Sequence, residues 1–360
     1  MNARILGVLL LLLAVLGGGA LLIRQQDANR KPADSGSLGQ PLLKDLQAAN
    51  VTTISIRQPG AALTIARKGE SWTIAERDGF PADYDKVRDF VLKTIALKIG
   101  QNEPIGEKDR ARLQLDASGT QVEFQGADGK PLARLTLGRK HFKTETENPD
   151  KAIGDGRYVM LPADEKRVYV VSDPLAQAST SSSDWISKAG FEVDKVKTLE
   201  LREPEGAVSG SSWRIERAGD SADWKLAGPR GDEKLEITKA NAAGYTFARL
   251  ELADVAPRSV KPEDSGLARP AVVTATTFDG LSYVLKLGKA QGDNYYASLE
   301  IAGEPKPEGK DAEERLKKIQ ERLPREKALS GHTLLVPKSK LEDILRKRAE
   351  LLEKKAEKKK

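Results

Sequence analysis

The chain contains no cysteine. That excludes disulfides, thiolate metal sites, a cysteine nucleophile and a lipid-modified N-terminal cysteine. Histidine is nearly as scarce: His141 and His332 are the two in 360 residues. One follows a strand pattern and the other precedes one, so they read as surface histidines and supply neither a metal cage nor a Ser–His nucleophile. Aromatic residues make up 5% of the chain and do not interleave with basic residues on any strand pattern. A nucleic-acid-binding sheet therefore lacks its stacking platform. There is no phosphate loop, nucleophile elbow, His-Glu-x-x-His or calcium loop. Ser179, Thr180, Ser181, Ser182 and Ser183 cluster without an adjacent base and read as a cap or hinge. Paired carboxylates are the one catalytic arrangement left open. Accordingly no catalytic, cofactor-binding or metal-ligating residue is assigned, no cofactor is expected, and the chain is not read as an enzyme.

Hydrophobic residues at 39% and charged residues at 31% give a globular balance, and the length suits two domains that each bury a core. The formal net charge is +6, but residues 346–360 carry eight basic side chains against three acidic ones, so the remainder is close to neutral. A basic tail on a neutral body is a poor footprint for nucleic acid.

Residues 5–23 carry no charge and, as a helix rising 1.5 Å per residue, span about 28 Å, close to a hydrocarbon core. A cleaved signal peptide is the competing reading, given the small residues Gly17, Gly18, Gly19 and Ala20. Leu21, Leu22 and Ile23 carry the run past them, longer than a signal-peptide core. An uncleaved anchor over residues 1–24 is therefore expected, in contact with the bilayer through 5–23. The small-residue patch either admits a second membrane helix at close range or is the composition of a cleavage region or of small residues that lipid tolerates. Arg24, Arg30 and Lys31 behind the run outweigh Arg4 before it, against the positive-inside rule for an exported body. A lone N-terminal helix with almost no preceding chain nonetheless has the form of a signal anchor, which places the body outside the cytoplasm.

The body states its pattern twice. Val51, Ile54, Ile56, Arg57 and Pro59 return as Val196, Leu199, Leu201, Arg202 and Pro204; Trp72 and Ile74 return as Trp224 and Leu226; Leu135-Thr136-Leu137-Gly138 returns as Leu285-Lys286-Leu287-Gly288. The fold class expected is α+β: two tandem repeats, each of antiparallel sheet with one or two packed helices, behind an N-terminal transmembrane helix. A flexible linker covers 25–41, the first repeat 42–190, the second 191–345, and a basic tail 346–360. Alternation predicts strands near 54–56, 63–65, 72–74, 121–124, 133–137, 158–160 and 168–171, and again near 272–278, 283–287, 295–301 and 333–336. Helical spacing predicts helices over 84–97 and 239–250, a lead-in over 42–49 and a closing helix over 174–188. Residues 304–327 form a charged insertion, read as an exposed helical arm. The stretch from Leu341 to Leu352 reads as a last helix, its apolar stripe interrupted by Arg348, projecting into a solvated tail.

The membrane helix, the strand around Val51–Arg57 followed by Trp72, the helix near Tyr84, the Leu-Thr-Leu-Gly strand end, the Tyr158 and Tyr169 strands and the whole-unit repeat together resemble the bacterial domain-of-unknown-function family 4340. The resemblance covers most of residues 51–336; the insertion at 304–327 departs from it. It implies a membrane-anchored protein encoded beside ABC-transporter components of the gliding-motility type. The expected function is an accessory or scaffold subunit of an ABC-type transport complex, acting by contact with membrane-embedded partner proteins, transporter subunits among them. Its place would be the bacterial inner membrane, single-pass, with the body in the periplasm. The alternative is an anchored receptor holding a glycan, lipid or peptide between the two repeats. No catalytic residue carries over from the family.

Overall fold

The computed structural model describes residues 36–144, 148, 152–204, 211–248 and 250–353. The apolar run over 5–23, most of the linker and the last residues of the basic tail lie outside them. Among the described residues no helix is long and apolar enough to cross a membrane.

The chain is mixed α+β with two antiparallel sheets and few helices. The first sheet uses β1 (Thr53–Gln58), β2 (Ala61–Lys68), β3 (Ser71–Ile74), β4 (Phe80–Pro81), β5 (Ile99–Pro104), β6 (Thr120–Gln125), β7 (Pro131–His141), β8 (Gly156–Leu161) and β9 (Asp164–Val171). Helix α1 (Tyr84–Ile95) precedes β5, and the short α2 (Glu107–Arg112) follows it. The second sheet uses β10 (Val196–Arg202), β11 (Trp213–Glu216), β12 (Lys225–Leu226), β13 (Asp254–Val255), β14 (Ala271–Thr277), β15 (Leu281–Gln291), β16 (Asn294–Gly303) and β17 (Leu334–Pro337). Helices α3 (Ile237–Tyr245) and α4 (Pro262–Ser265) flank β13, and α5 (Ala312–Ala328) lies between β16 and β17.

The strand orders are β4-β3-β2-β1-β6-β7-β8-β9-β5 and β12-β11-β10-β14-β15-β16-β17-β13. Apart from β4, each strand of the first sheet has a counterpart at the same place in the second. The cause is visible in the alternation. Ile54 and Ile56, Val122 and Phe124, and Leu135 and Leu137 are buried on one face of the first sheet; Leu199 and Leu201, Val273 and Ala275, and Leu285 and Leu287 are buried likewise in the second. A side-chain period of two fixes that register, because a one-residue slip would turn every apolar side chain to water. Phe90 of α1 stacks on Phe124 at 5.9 Å. In the second core Phe191 stacks on Tyr283 at 5.8 Å.

By compactness the chain divides differently. The described residues up to Ala62 with Asp89–Ala178 form one unit, and Leu63–Arg88 with Ser179 onward form the other. Within that second unit Asp83 N–H donates to the Trp185 carbonyl at 2.7 Å, Ala82 bridges Ile186, and the Phe80 ring meets His332 edge-on at 5.0 Å.

Four elements differ from the sequence expectation. The closing helix over 174–188 is replaced by irregular chain with one 3-10 turn, Ser182–Asp184. Leu175 there takes a positive φ of 45°, and Ser182 spends its hydroxyl on the Asp254 carboxylate at 2.8 and 2.9 Å, an alternative to helical bonding that serine favours. The lead-in over 42–49 holds only the turn Ala48–Asn50. Just before it the chain lies along β5, with Gly39 N–H on the Ile99 carbonyl and Ile99 N–H on the Gln40 carbonyl, at 2.8 and 3.0 Å.

The charged insertion is not a solvated arm, since α5 buries Ile319, Leu323 and Glu326. Glu326 is fully buried. Its carboxylate accepts from Glu192 N–H at 3.0 Å and from the Tyr283 hydroxyl at 3.1 Å, and Arg322 binds Asp194 at 3.2 Å. The segment from Leu341 to Leu352 forms a turn over 341–345 and one 3-10 turn, Arg348–Leu351, not a continuous helix. It stays packed because Arg348, which interrupts the apolar stripe, is itself buried and pairs with Glu233 at 2.6 Å.

Candidate binding groove

In the first sheet, residues that alternate with the core positions stand on the opposite face. Arg57, Gln121, Thr136 and Met160 are register partners across β1, β6, β7 and β8, and Ser55, Glu123 and Arg134 form the adjacent row. One side of this face is walled by α2 and the turn after it. The approach is close: Arg139 N–H donates to the Leu113 carbonyl at 2.9 Å, and a Cβ at position 138 would sit 2.3 Å from that same oxygen. Only glycine admits it, which gives Gly138 its physical reason. Leu113, Leu115, Met160 and Val168 form a small buried cluster behind the wall, with Ile105 and Tyr158 packed against it. Between wall and strands lies an open cavity of about 640 Å³, within the size range of ligand-binding clefts.

The groove is polarised. The strands supply Arg57 and Arg134 against Glu123, whereas α2, its turn and β9 supply Glu107, Asp116 and Glu165 against Arg110. Arg134 binds Glu123 at 2.8 Å and Arg110 binds Glu165 at 3.3 Å. The Gln125 amide, then Arg134 and Arg57, hold the Glu123 carboxyl below its ordinary range against the opposing effect of burial. Hydrogen bonds from the Ser118 hydroxyl and N–H hold Asp116 low as well. Arg57, Glu107 and Asp116 form no ion pair among the described residues.

The corresponding face of the second sheet carries Arg202, Val272, Lys286 and Ser298 in one row and Glu200, Thr274, Val284 and Glu300 in the next. Its charges pair along the surface, Arg202 with Glu200 at 2.7 Å and Lys286 with Glu300 at 2.5 Å. Gly288 repeats the close approach seen at Gly138: a Cβ there would lie 2.2 Å from the Ser265 carbonyl oxygen at the end of α4. Clefts of about 420 and 580 Å³ lie elsewhere in the second unit, beside α5 and beside α4. The cleft beside α5 is lined by Arg322, Glu192, Asp194, Arg315 and Asp279. Those charges neutralise one another while docking the helix, with Arg315 on Asp279 at 3.0 Å.

Both histidines are partly exposed. His141 meets the Tyr158 ring edge-on at 5.5 Å, and His332 is half-buried against Phe80, with burial lowering its pKa against the pull of Asp78. Trp72, Trp213 and Trp224 are buried. Among the described residues no group of three or more His, Asp or Glu converges to hold a metal ion. The groove residues of α2 and its turn carry no sequence signal beyond charge. Those on β1, β6 and β7 were accessible as the polar half of the alternation.

A family model described as a domain of unknown function matches residues 72–270. Searches of curated proteins and of solved structures give no match. The matched span runs from within β3 to the residue before β14, across the junction of the two sheets. It takes in more than half of the chain, and the protein therefore belongs to this family, DUF4340.

Proposed function

We propose that this protein is an accessory or scaffold subunit of an ABC-type transport complex, acting by contact with membrane-embedded partners and not by turnover. On this reading the apolar run over residues 5–23 holds it in the bacterial inner membrane, with the body on the periplasmic side. The observation that carries the contact role is the groove of the first unit. Its lining is mostly charged and hydrogen-bonding side chains, with the buried Leu115 and Met160 beneath them, a surface suited to polar contact with a partner. The two sheets are, in the same proposal, copies of one duplicated unit. Their common strand order and the paired glycines Gly138 and Gly288 support it.

The test uses tagged full-length protein solubilised from membranes in mild detergent. Transporter subunits are expected to follow the tag; an eluate without any contradicts the assignment. Alkaline phosphatase fused to the C-terminus is expected to be active, and an inactive fusion would overturn the periplasmic placement.

A further inference from the structure

Building on the reading that the groove makes a partner contact, we infer that it receives an extended peptide segment of the partner in which an apolar residue lies between a basic and an acidic one. Three observations lead to this pattern. The first is charge left over within the groove. Arg134 and Arg110 are each satisfied by a carboxylate, whereas Arg57 on β1 and Glu107 at the start of α2 have no ion-pair partner among the described residues and are exposed. Asp116 is engaged only by Ser118. An acidic side chain is therefore wanted at the β1 end, and a basic one at the α2 end.

The second observation is the floor. Met160 ends the row that begins at Arg57, and Leu115 stands beside it. Both belong to the buried cluster, so a small apolar edge faces the groove, against which an apolar side chain can rest. The third is length. From β1 to β8 the row crosses three strand spacings, about 14 Å, the reach of roughly four extended residues. Gln121 and Thr136 lie along the row between its ends, where they can bond the backbone of such a segment, whose polar groups must be satisfied once covered. A glycan would find little aromatic surface here, Tyr158 being packed against the cluster behind the wall.

The probe is a capped, fluorescein-labelled peptide, Lys-Ala-Leu-Ala-Ala-Ala-Glu, its leucine four residues from the glutamate to match the span of the row, titrated by fluorescence anisotropy against full-length protein in detergent. It is expected to bind roughly tenfold more tightly than the same peptide with glutamine at both charged positions, the effect of two partly exposed ion pairs. Arg57→Glu should abolish that preference and transfer it to a probe whose acidic residue is replaced by lysine. Glu107→Lys should do the same at the basic end. Both positions are exposed, so unchanged melting temperatures are expected to separate lost recognition from lost folding. Probes that bind equally whatever their charge, fail to bind at all, or keep their preference in both variants would overturn the inference. Probe selectivity without co-purifying transporter subunits would leave the groove assignment standing and remove the transport role; the reverse result would remove the peptide alone.

Discussion

The two sheets share a strand order and differ in what they do with their second face. On the first, α2 and the turn after it rise beside the β1, β6 and β7 rows and leave a polarised groove of about 640 Å³. On the second, the corresponding rows pair their own charges, Arg202 with Glu200 and Lys286 with Glu300. The extra material of the second sheet goes elsewhere, into α5 docked through Glu326. One strand order thus carries an open, charged groove in one sheet and an additional docked helix beside the other. The shared part is what packing demands. The differing part lies where packing is indifferent, on alternate strand positions and in the connections, and that is where function is free to diverge.

The comparison breaks most visibly at Glu326, which has no counterpart in the first sheet. Glu326→Ala strands the Tyr283 hydroxyl and the Glu192 N–H, while Arg322 keeps Asp194. It should cost about 4 kcal/mol, as loss of one member of a buried ionic network does. Urea unfolding is expected to show the second unit melting earlier while the first keeps its midpoint; a uniform shift would mean that the units do not unfold separately. Next come the paired glycines. Gly138→Ala and Gly288→Ala each force a methyl group against a carbonyl oxygen and should cost about 2–3 kcal/mol in their own units. Similar losses sharpen the equivalence of the two sites, and tolerance of one alone breaks it.

A smaller effect concerns pH. Burial lowers the His332 pKa, with Asp78 opposing, so the folded chain binds this proton less readily than the unfolded chain. The contribution to stability is complete above the unfolded value of about 6.5 and is lost as pH falls from there toward the folded pKa. The melting temperature of the second unit should fall over that window, and His332→Phe should flatten the slope. The smallest effect is at Arg57, where Arg57→Glu is expected to change stability by less than about 0.5 kcal/mol, since the side chain is exposed and unpaired. A larger loss would mean that the groove is built for packing and not for recognition.

Much of the architecture was legible before any coordinates. Strict alternation at Ile54 and Ile56 or Leu285 and Leu287 specifies both strand and face, and the recurring Leu-x-Leu-Gly marks the strand end where a turn presses in. What escaped is what depends on distant partners. β13 is two residues long and exists because Leu334 and Leu335 pair with it. Arg348 is charged, yet buried, because Glu233, 115 residues away, meets it. α5 looked solvated because charge dominates its composition, while Ile319 and Leu323 suffice to seat it. The groove was half legible: its strand residues follow from the period of two. Its wall does not, because α2, with every residue at least partly exposed, has no apolar rhythm.

The central claim is that contact is made through the polar face of the first sheet and not through the matching face of the second. Gln121 and Val272 occupy corresponding places in the two sheets, so Gln121→Trp and Val272→Trp fill the two faces in matched fashion. Co-purification of full-length protein from membranes should lose its partner with Gln121→Trp and retain it with Val272→Trp. Retention in both, or loss only with Val272→Trp, would contradict the account.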